Sequence, residues 1–192
     1  MARLVYAVLA SLDGYVADET GNFDWAAPDE EVHRFINELE RSVGTYLYGR
    51  RLYEVMAVWQ HFPDIEQEPE VIREYAAIWQ SADKIVYSET LAAVTTPKTR
   101  LERNFDAHSV RAMVTAQERD VSIGGPTLAS HALKADIVDD IHLFVVPEVV
   151  GGGTPCWPAG VRLTLDLVAQ DRFSDGTVHL HYRSRSERAE DR

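Results

Sequence analysis

The chain has 192 residues, of which 45% are hydrophobic and 26% charged, and a formal net charge of −12. This is globular composition with enough length for one well-buried core, and the acidic balance argues against nucleic acid or an anionic membrane as a broad-surface partner, though not against a small anionic ligand. The lone Cys156 excludes an internal disulfide and the paired cysteines of a zinc ribbon or zinc-dependent deaminase, and reads as a structural thiol.

No apolar run approaches the roughly 18–20 residues of a membrane span, and the N-terminal segment breaks at Asp13 without a small-residue cleavage pattern, so a cytoplasmic protein is expected. Residues 3–9, "RLVYAVL", suit a strand buried on both faces, and "SLDGYVADETGNFDW" after it reads as a long irregular excursion with turn signals at Asp13-Gly14 and Gly21-Asn22. From Pro28, "PDEEVHRFINELE" spaces Val32, Phe35, Ile36 and Leu39 as one face of a helix, with acids in the first turn. "TYLYG" reads as a strand and "RRLYEVMAVW" as a helix. "DIEQEPEV" is acidic and reads as flexible, and "EVIREYAAIWQSA" resumes helical spacing.

"DKIVYS" is the next strand. Residues 89–105 are poorly patterned, with Pro97 between two possible short extended pieces, and are followed by a helix in "DAHSVRAMVTAQE", a strand in "DVSIG" and a helix in "PTLASHALKA". "DDIHLFVVPEVVG" reads as a long strand with a bulge or sheet edge at Pro147, and Ser174-Asp175-Gly176 marks a hairpin between "LTLDLVAQDRF" and "TVHLHYRS". The expected architecture is α/β, a mostly parallel central sheet flanked by helices with an antiparallel C-terminal hairpin. One domain over 1–184 is expected, with 185–192 a charged, frayed tail.

Three strand ends form a pattern. "YLYGRR" places Gly49, Arg50 and Arg51 at a strand-to-helix junction, "IVYSET" ends in Ser88, Glu89 and Thr90, and "VSIGGPTL" ends in Gly124 and Gly125. In open α/β sheets ligands sit outside the carboxyl ends of strands, and these ends offer cations, hydroxyls and free amides to an extended anion. Gly124-Gly125 before Pro126 reads either as a tight turn or as a turn that aims the amides of Thr127 and Leu128 at a phosphate. It is not GxGxxG, so a Rossmann unit is not supported.

The ordered series "SLDGYVA", "YGRRLYEVM" with Trp59, "IVYSETL", "VSIGGPTLASHAL" and "DDIHLFVVPEVVGGGTP" resembles the dihydrofolate reductase-like family, and within it the reductase domain of the bifunctional deaminase/reductase of riboflavin biosynthesis. The resemblance spans roughly residues 3–183. It implies NADPH as cofactor, with Gly49, Arg50, Ser88 and Thr90 at the adenosine 2′-phosphate and Arg51 assisting. It also implies Gly124, Gly125, Thr127 and Leu128 at the pyrophosphate, and the backbone of Leu9 and Ala10 at the nicotinamide carboxamide. Glu89 departs from the basic residue many relatives carry there.

Of the carboxylates, Asp13 resembles the substrate-side acid, its alternative being a cap on the Asp13-Gly14 turn, and Glu30 stands where folate-reducing relatives carry a proton-handling acid. Pocket walls are assigned by position to Tyr15, Trp25, Tyr53 and Trp59, for the last two of which core packing is the alternative. The implied activity is reduction of a small heterocyclic or carbonyl substrate, nearest to 5-amino-6-(5-phosphoribosylamino)uracil reductase chemistry. The alternative is a nucleotide-binding module without turnover.

Neither His179 and His181 nor the scattered remaining histidines show ligand spacing, so no metal is expected. "GGGTP" at 151–155 reads as a flexible turn, and a homodimer is expected from the likeness of the Pro147 strand and "VVGGGTP" loop to an assembly edge in relatives.

Overall fold

The computed structural model describes residues 1–62 and 65–185, so the expected tail falls outside the described residues except for Arg185. An eight-stranded sheet runs in the order β5-β4-β3-β6-β1-β7-β10-β9. Its strands are β1 (Leu4–Ser11), β3 (Val43–Gly49), β4 (Asp83–Tyr87), β5 (Thr99–Glu102), β6 (Asp120–Gly124), β7 (Asp140–Val146), β9 (Leu165–Arg172) and β10 (Val178–Ser184). The first six in spatial order are mutually parallel, and β10 pairs antiparallel with both β7 and β9. The parallel strands therefore all end at one edge, and the C-terminal hairpin is appended to the other side of β7.

Helices α4 (Ala107–Ala116) and α5 (Pro126–Lys134) cover one face, where Val110, Val114, Ala129 and Leu133 pack on Tyr6, Leu47, Ile85 and Ile123. The other face carries α1 (Glu30–Glu40), α2 (Arg50–Met56) and α3 (Glu70–Ser81). There Val32 and Phe35 meet Phe144 and Phe173, while Trp79 and Tyr75 meet Tyr46, Tyr48 and Val86. The period-two alternation of β3 explains the division: Leu47 faces one layer, Tyr46 and Tyr48 the other. Local signals set the helix starts. Asp29 accepts Val32 N at 2.9 Å ahead of α1, Asp106 accepts Ser109 N at 2.8 Å ahead of α4, and Pro126 opens α5.

Three segments differ from the sequence expectation. The excursion after β1 contains a short strand, β2 (Tyr15–Ala17), which pairs antiparallel with β8 (Thr154–Pro155). The "GGGTP" segment is thus a fastened ribbon and not a flexible turn. Gly153 has φ +128°, and a Cβ there would lie 2.1 Å from the Ala17 carbonyl oxygen, so only glycine lets the two backbones approach. Pro147 ends β7 instead of interrupting it, whereas β5 stands where the second short extended piece after Pro97 is expected, its residues alternating between half-buried and exposed.

Glu40, the last residue of α1, is 6% exposed, and its Oε2 and the Tyr46 hydroxyl are buried without a hydrogen-bond partner among the described residues. Burial pushes the Glu40 carboxyl up to about 7. A raised folded-state value means no penalty below the ordinary carboxylate range, a growing one from about pH 4.5 to 7, and a constant one above. Glu40→Gln should therefore gain stability over wild type on going from pH 4.5 to pH 8, by up to about 3 kcal/mol, in urea unfolding at the two pH values. An equal difference at both would show that Glu40 ionises as freely in the folded chain as in the unfolded one.

Candidate functional site

The ladder between β1 and β6 covers only Leu4–Val121 and Val5–Ser122, whereas β1 remains paired with β7 from Val5 to Ser11 and β6 with β3 up to Gly124. The two central strands part toward their carboxyl ends. The backbone of Leu9 and Ala10 borders this split on one side and Gly124 on the other, the kind of crevice in which α/β sheets receive ligands. The Leu9 side chain packs toward Val32 and Phe144, and that of Ala10 is buried in the main core, so only main-chain groups of these two are placed for a ligand.

On the far side of the split, β6, β3, β4 and β5 end next to one another. Gly125 caps α5 with φ +85°, and no side-chain oxygen caps the first-turn amides of Thr127 and Leu128. The Leu128 side chain itself is buried in the core. A Cβ on Gly124 would stand 2.5 Å from Leu52 Cδ2 and 3.2 Å from the Tyr48 ring, so glycine lets α2 close against the end of β6. Gly49 caps α2 in extended geometry. Arg50 donates from Nη1 to Thr90 Oγ1 at 3.3 Å and from Nε to Glu54 at 2.8 Å, which ties the β3 and β4 ends together. Ser88 Oγ accepts from Thr90 N at 3.3 Å and Leu91 N at 3.0 Å. Arg51 is exposed and makes no hydrogen bond or ion pair among the described residues.

Asp13 lies past the end of β1. Its carboxylate accepts Ser11 Oγ at 2.6 Å, Gly151 N at 2.7 Å and Val150 N at 3.2 Å, and these donors, the Ser11 hydroxyl first, hold it below the usual carboxylate range. It fastens the β2–β8 ribbon beside the split and is ionised at neutral pH. Tyr15 belongs to that ribbon, half-buried, with its amide on Ser11 Oγ at 3.0 Å. Trp25 is half-buried in a short 3₁₀ helix, Asp24–Ala26, and donates from Nε1 to Asn22 O at 3.2 Å.

Three expected residues stand elsewhere. Tyr53 is not a pocket wall: it is 3% exposed, and its hydroxyl accepts the amides of Thr95 at 2.8 Å and Thr96 at 3.2 Å, an anchor for the loop after β4. Trp59 sits in an aromatic cluster, 4.7 Å from Tyr75 and 5.3 Å from Phe62 between ring centroids, because α1 and α3 cover that apolar face. Glu30 pairs with Arg34 at 2.5 Å on the exposed side of α1, as an i,i+4 pair on a helix surface does.

Two further groups are settled by burial. Cys156 is 1% exposed and its thiol is pushed up to about 11 by burial, which leaves it protonated and inert at neutral pH. His142 joins His179 at 2.9 Å and stacks on His181 at 4.1 Å, with Asp171 and Asp140 as the outer partners of His179 and His181. Burial, helped by the two neighbouring imidazoles, takes His142 down to about 3. No set of three such side chains able to hold a metal ion occurs among the described residues, and no described helix is long and apolar enough to cross a membrane. One group at the strand ends had no sequence signal: Arg103, in the unpatterned stretch, reaches the loop that carries Ser88 and Thr90.

Comparison places this architecture. Dihydrofolate reductase from Enterococcus faecalis complexed with NADP(H) superposes with a TM-score of 0.58 at 13% identity, over 96% of this chain and 97% of that one. A Shewanella sp. PV-4 protein provisionally named for riboflavin biosynthesis superposes with a TM-score of 0.75 at 21% identity, over 95% and 99%. The fold is dihydrofolate reductase-like. The uncharacterized protein YyaP of Bacillus subtilis (strain 168) is 25% identical over 184 residues, 94% of each chain. The RibD C-terminal domain model matches residues 2–179, and the chain belongs to that family.

Gly124→Ala should lower stability by about 1–3 kcal/mol through overpacking against Leu52 and Tyr48. Thermal unfolding reads the loss, and an unchanged Tm would mean that α2 yields freely at this contact.

Proposed function

We propose that this chain is an NADPH-dependent reductase of a small heterocyclic or carbonyl substrate, nearest in chemistry to 5-amino-6-(5-phosphoribosylamino)uracil reductase and acting in the cytoplasm. The observation that carries the reading is the convergence at one sheet edge of the Arg50–Thr90–Ser88 group, the uncapped α5 amides behind Gly125, and the split beside Leu9 and Ala10. Their order matches the parts of a dinucleotide: phosphate on a ribose, pyrophosphate, then the redox-active ring.

The residues fit such a group chemically. A guanidinium and two hydroxyls suit a phosphate monoester, first-turn helix amides suit a pyrophosphate, and main-chain groups of Leu9 and Ala10 suit a carboxamide. When bound, the cofactor supplies the hydride. The chain's own part is to orient and to limit water: the β2–β8 ribbon, fastened by Asp13, borders the reacting end, with Tyr15 and Trp25 on the same excursion.

The electrostatics of Asp13 bear on proton supply. Held ionised by the Ser11 hydroxyl and two amides, Asp13 positions the loop and accepts hydrogen bonds, and the product proton in this reading comes from water. Glu30, engaged with Arg34, takes no part. That neither carboxylate is set up to donate a proton is also what favours the second reading, a nucleotide-binding module without turnover.

The proposal includes a homodimer. Support comes from β9, which has no strand partner on its outer side among the described residues and exposes Leu167 and Val168 at 52% and 47%; a second copy pairing there would cover an open sheet edge. Light scattering after size exclusion is expected to give twice the chain mass.

Tryptophan quenching on titration with NADPH and NADH tests the cofactor reading. Wild type should respond to NADPH, and Arg50→Ala should lose about 1.5–3 kcal/mol toward NADPH, roughly tenfold or more in Kd, with NADH nearly unaffected. No response to either nucleotide removes both readings. Binding without oxidation across pterins, pyrimidines and quinones selects the module.

A further inference from the structure

Arg103 follows β5 directly, and its Nη1 donates to three carbonyls of a single loop: Ser88 at 3.0 Å, Glu89 at 3.3 Å and Leu91 at 2.7 Å. Among the described residues its Nε and Nη2 make no hydrogen bond, and no carboxylate pairs with it. Three carbonyl dipoles converging on one cation fix the conformation of the loop. That conformation brings the amides of Thr90 and Leu91 onto Ser88 Oγ.

An oxygen that accepts two amides retains its own proton to donate away from them. Thr90 Oγ1, which accepts from Arg50 Nη1, retains its proton in the same way. The Ser88–Leu91 loop is therefore gripped by a guanidinium from each of two elements, Arg50 from the end of β3 and Arg103 from the end of β5, and presents two hydroxyl donors between them in sequence. Glu89, exposed on this loop, pairs with neither arginine. A single cation facing a carboxylate-bearing loop would be a poor phosphate site. Arg50 and Arg103 balance Glu89 and the Glu54 that pairs with Arg50, and the exposed Arg51 beside them leaves the group net positive.

We infer that Arg103 is a positioning and specificity-determining residue for an adenosine 2′-phosphate, shaping the Ser88–Leu91 loop and supplying the charge that offsets Glu89. The inference rests on the NADPH reading and adds to it a residue just past the edge strand β5. The geometry calls for arginine: a lysine ammonium is a point charge without the planar fork, and it cannot keep a carbonyl clasp while leaving further N–H groups toward an anion.

Calorimetric titration of the full chain with adenosine 2′,5′-bisphosphate and with adenosine 5′-monophosphate tests it. Wild type should prefer the bisphosphate by about tenfold or more, the scale of one charge-assisted contact. Arg103→Gln should remove most of that preference and leave the monophosphate affinity nearly unchanged, with Arg103→Lys in between. General damage to the fold would weaken both probes alike, so parallel losses overturn the inference, as does an unchanged preference. Should Arg103→Gln not fold, Arg103→Lys carries the same decision: a preference equal to wild type refutes the clasp. Wild type binding neither probe overturns the NADPH reading and this inference together, whereas a wild-type preference that survives in both variants overturns only the role of Arg103.

Discussion

A parallel strand in the middle of a sheet has two sides, each lined with backbone donors and acceptors that need partners. In β1 those on the β7 side are served along the strand, but the ladder to β6 stops after Val5 and Ser122. The upper half of β1 thus turns a main-chain edge toward a gap and not toward another strand. On the NADPH reading, that parting is where the nicotinamide is held. It gives Leu9 and Ala10 something to offer although both side chains are directed into packing, and it puts Gly124 and Gly125 at the opposite lip.

The charges at this edge illustrate why a total is a poor guide to a site. The chain is strongly acidic, yet Arg50, Arg51 and Arg103 gather where β3 and β5 end on either side of β4. Only part of that charge is committed: Arg50 shares its guanidinium between Glu54 and Thr90, and Arg103 spends one nitrogen on carbonyl oxygens. Coulomb interactions near a surface fall off over a Debye length of about 8 Å at physiological salt, so distant acids count for little against cations in contact. The same reasoning makes Glu89 matter, because it is on the loop itself.

The end of β1, where the proposed reaction would take place, is held by a different set of interactions. Asp13 receives one hydroxyl and two amides, and those bonds stabilise the ionised form that holds residues 150 and 151 against the end of β1. The ribbon it secures needs Gly153 at a positive φ where backbones touch. A carboxylate used as a fastener is withdrawn from proton donation, which, on the proposed NADPH reading, leaves the cofactor, the solvent and the shape of the crevice to account for any reaction.

The order of the main strands and helices, the buried character of β1, the helix starts near Pro28 and at Pro126, and the three strand ends were legible in the sequence, because hydrophobic period and capping chemistry act over a few residues. The quoted motifs also carried the family. Side-chain destination was less legible. Tyr53 and Trp59 had the right position for pocket walls and the right chemistry for core, and what drew Tyr53 fully and Trp59 partly inward was the apolar surface of β3, β4 and α3, assembled from residues far apart in the chain. Asp13 could be read as acid or cap until the loop at 150 arrived to donate its amides. Arg103 lay just past a four-residue edge strand whose alternation is too short and too half-buried to mark its end in the sequence. The sequence by itself determined the main strands and helices and which residue types reach the carboxyl edge, but not the β2–β8 ribbon, whose two short strands exist only by pairing with each other. Only the tertiary structure decided that β1 and β6 part there, and which cation meets which loop, because those outcomes depend on pairings across the sheet that no local pattern encodes.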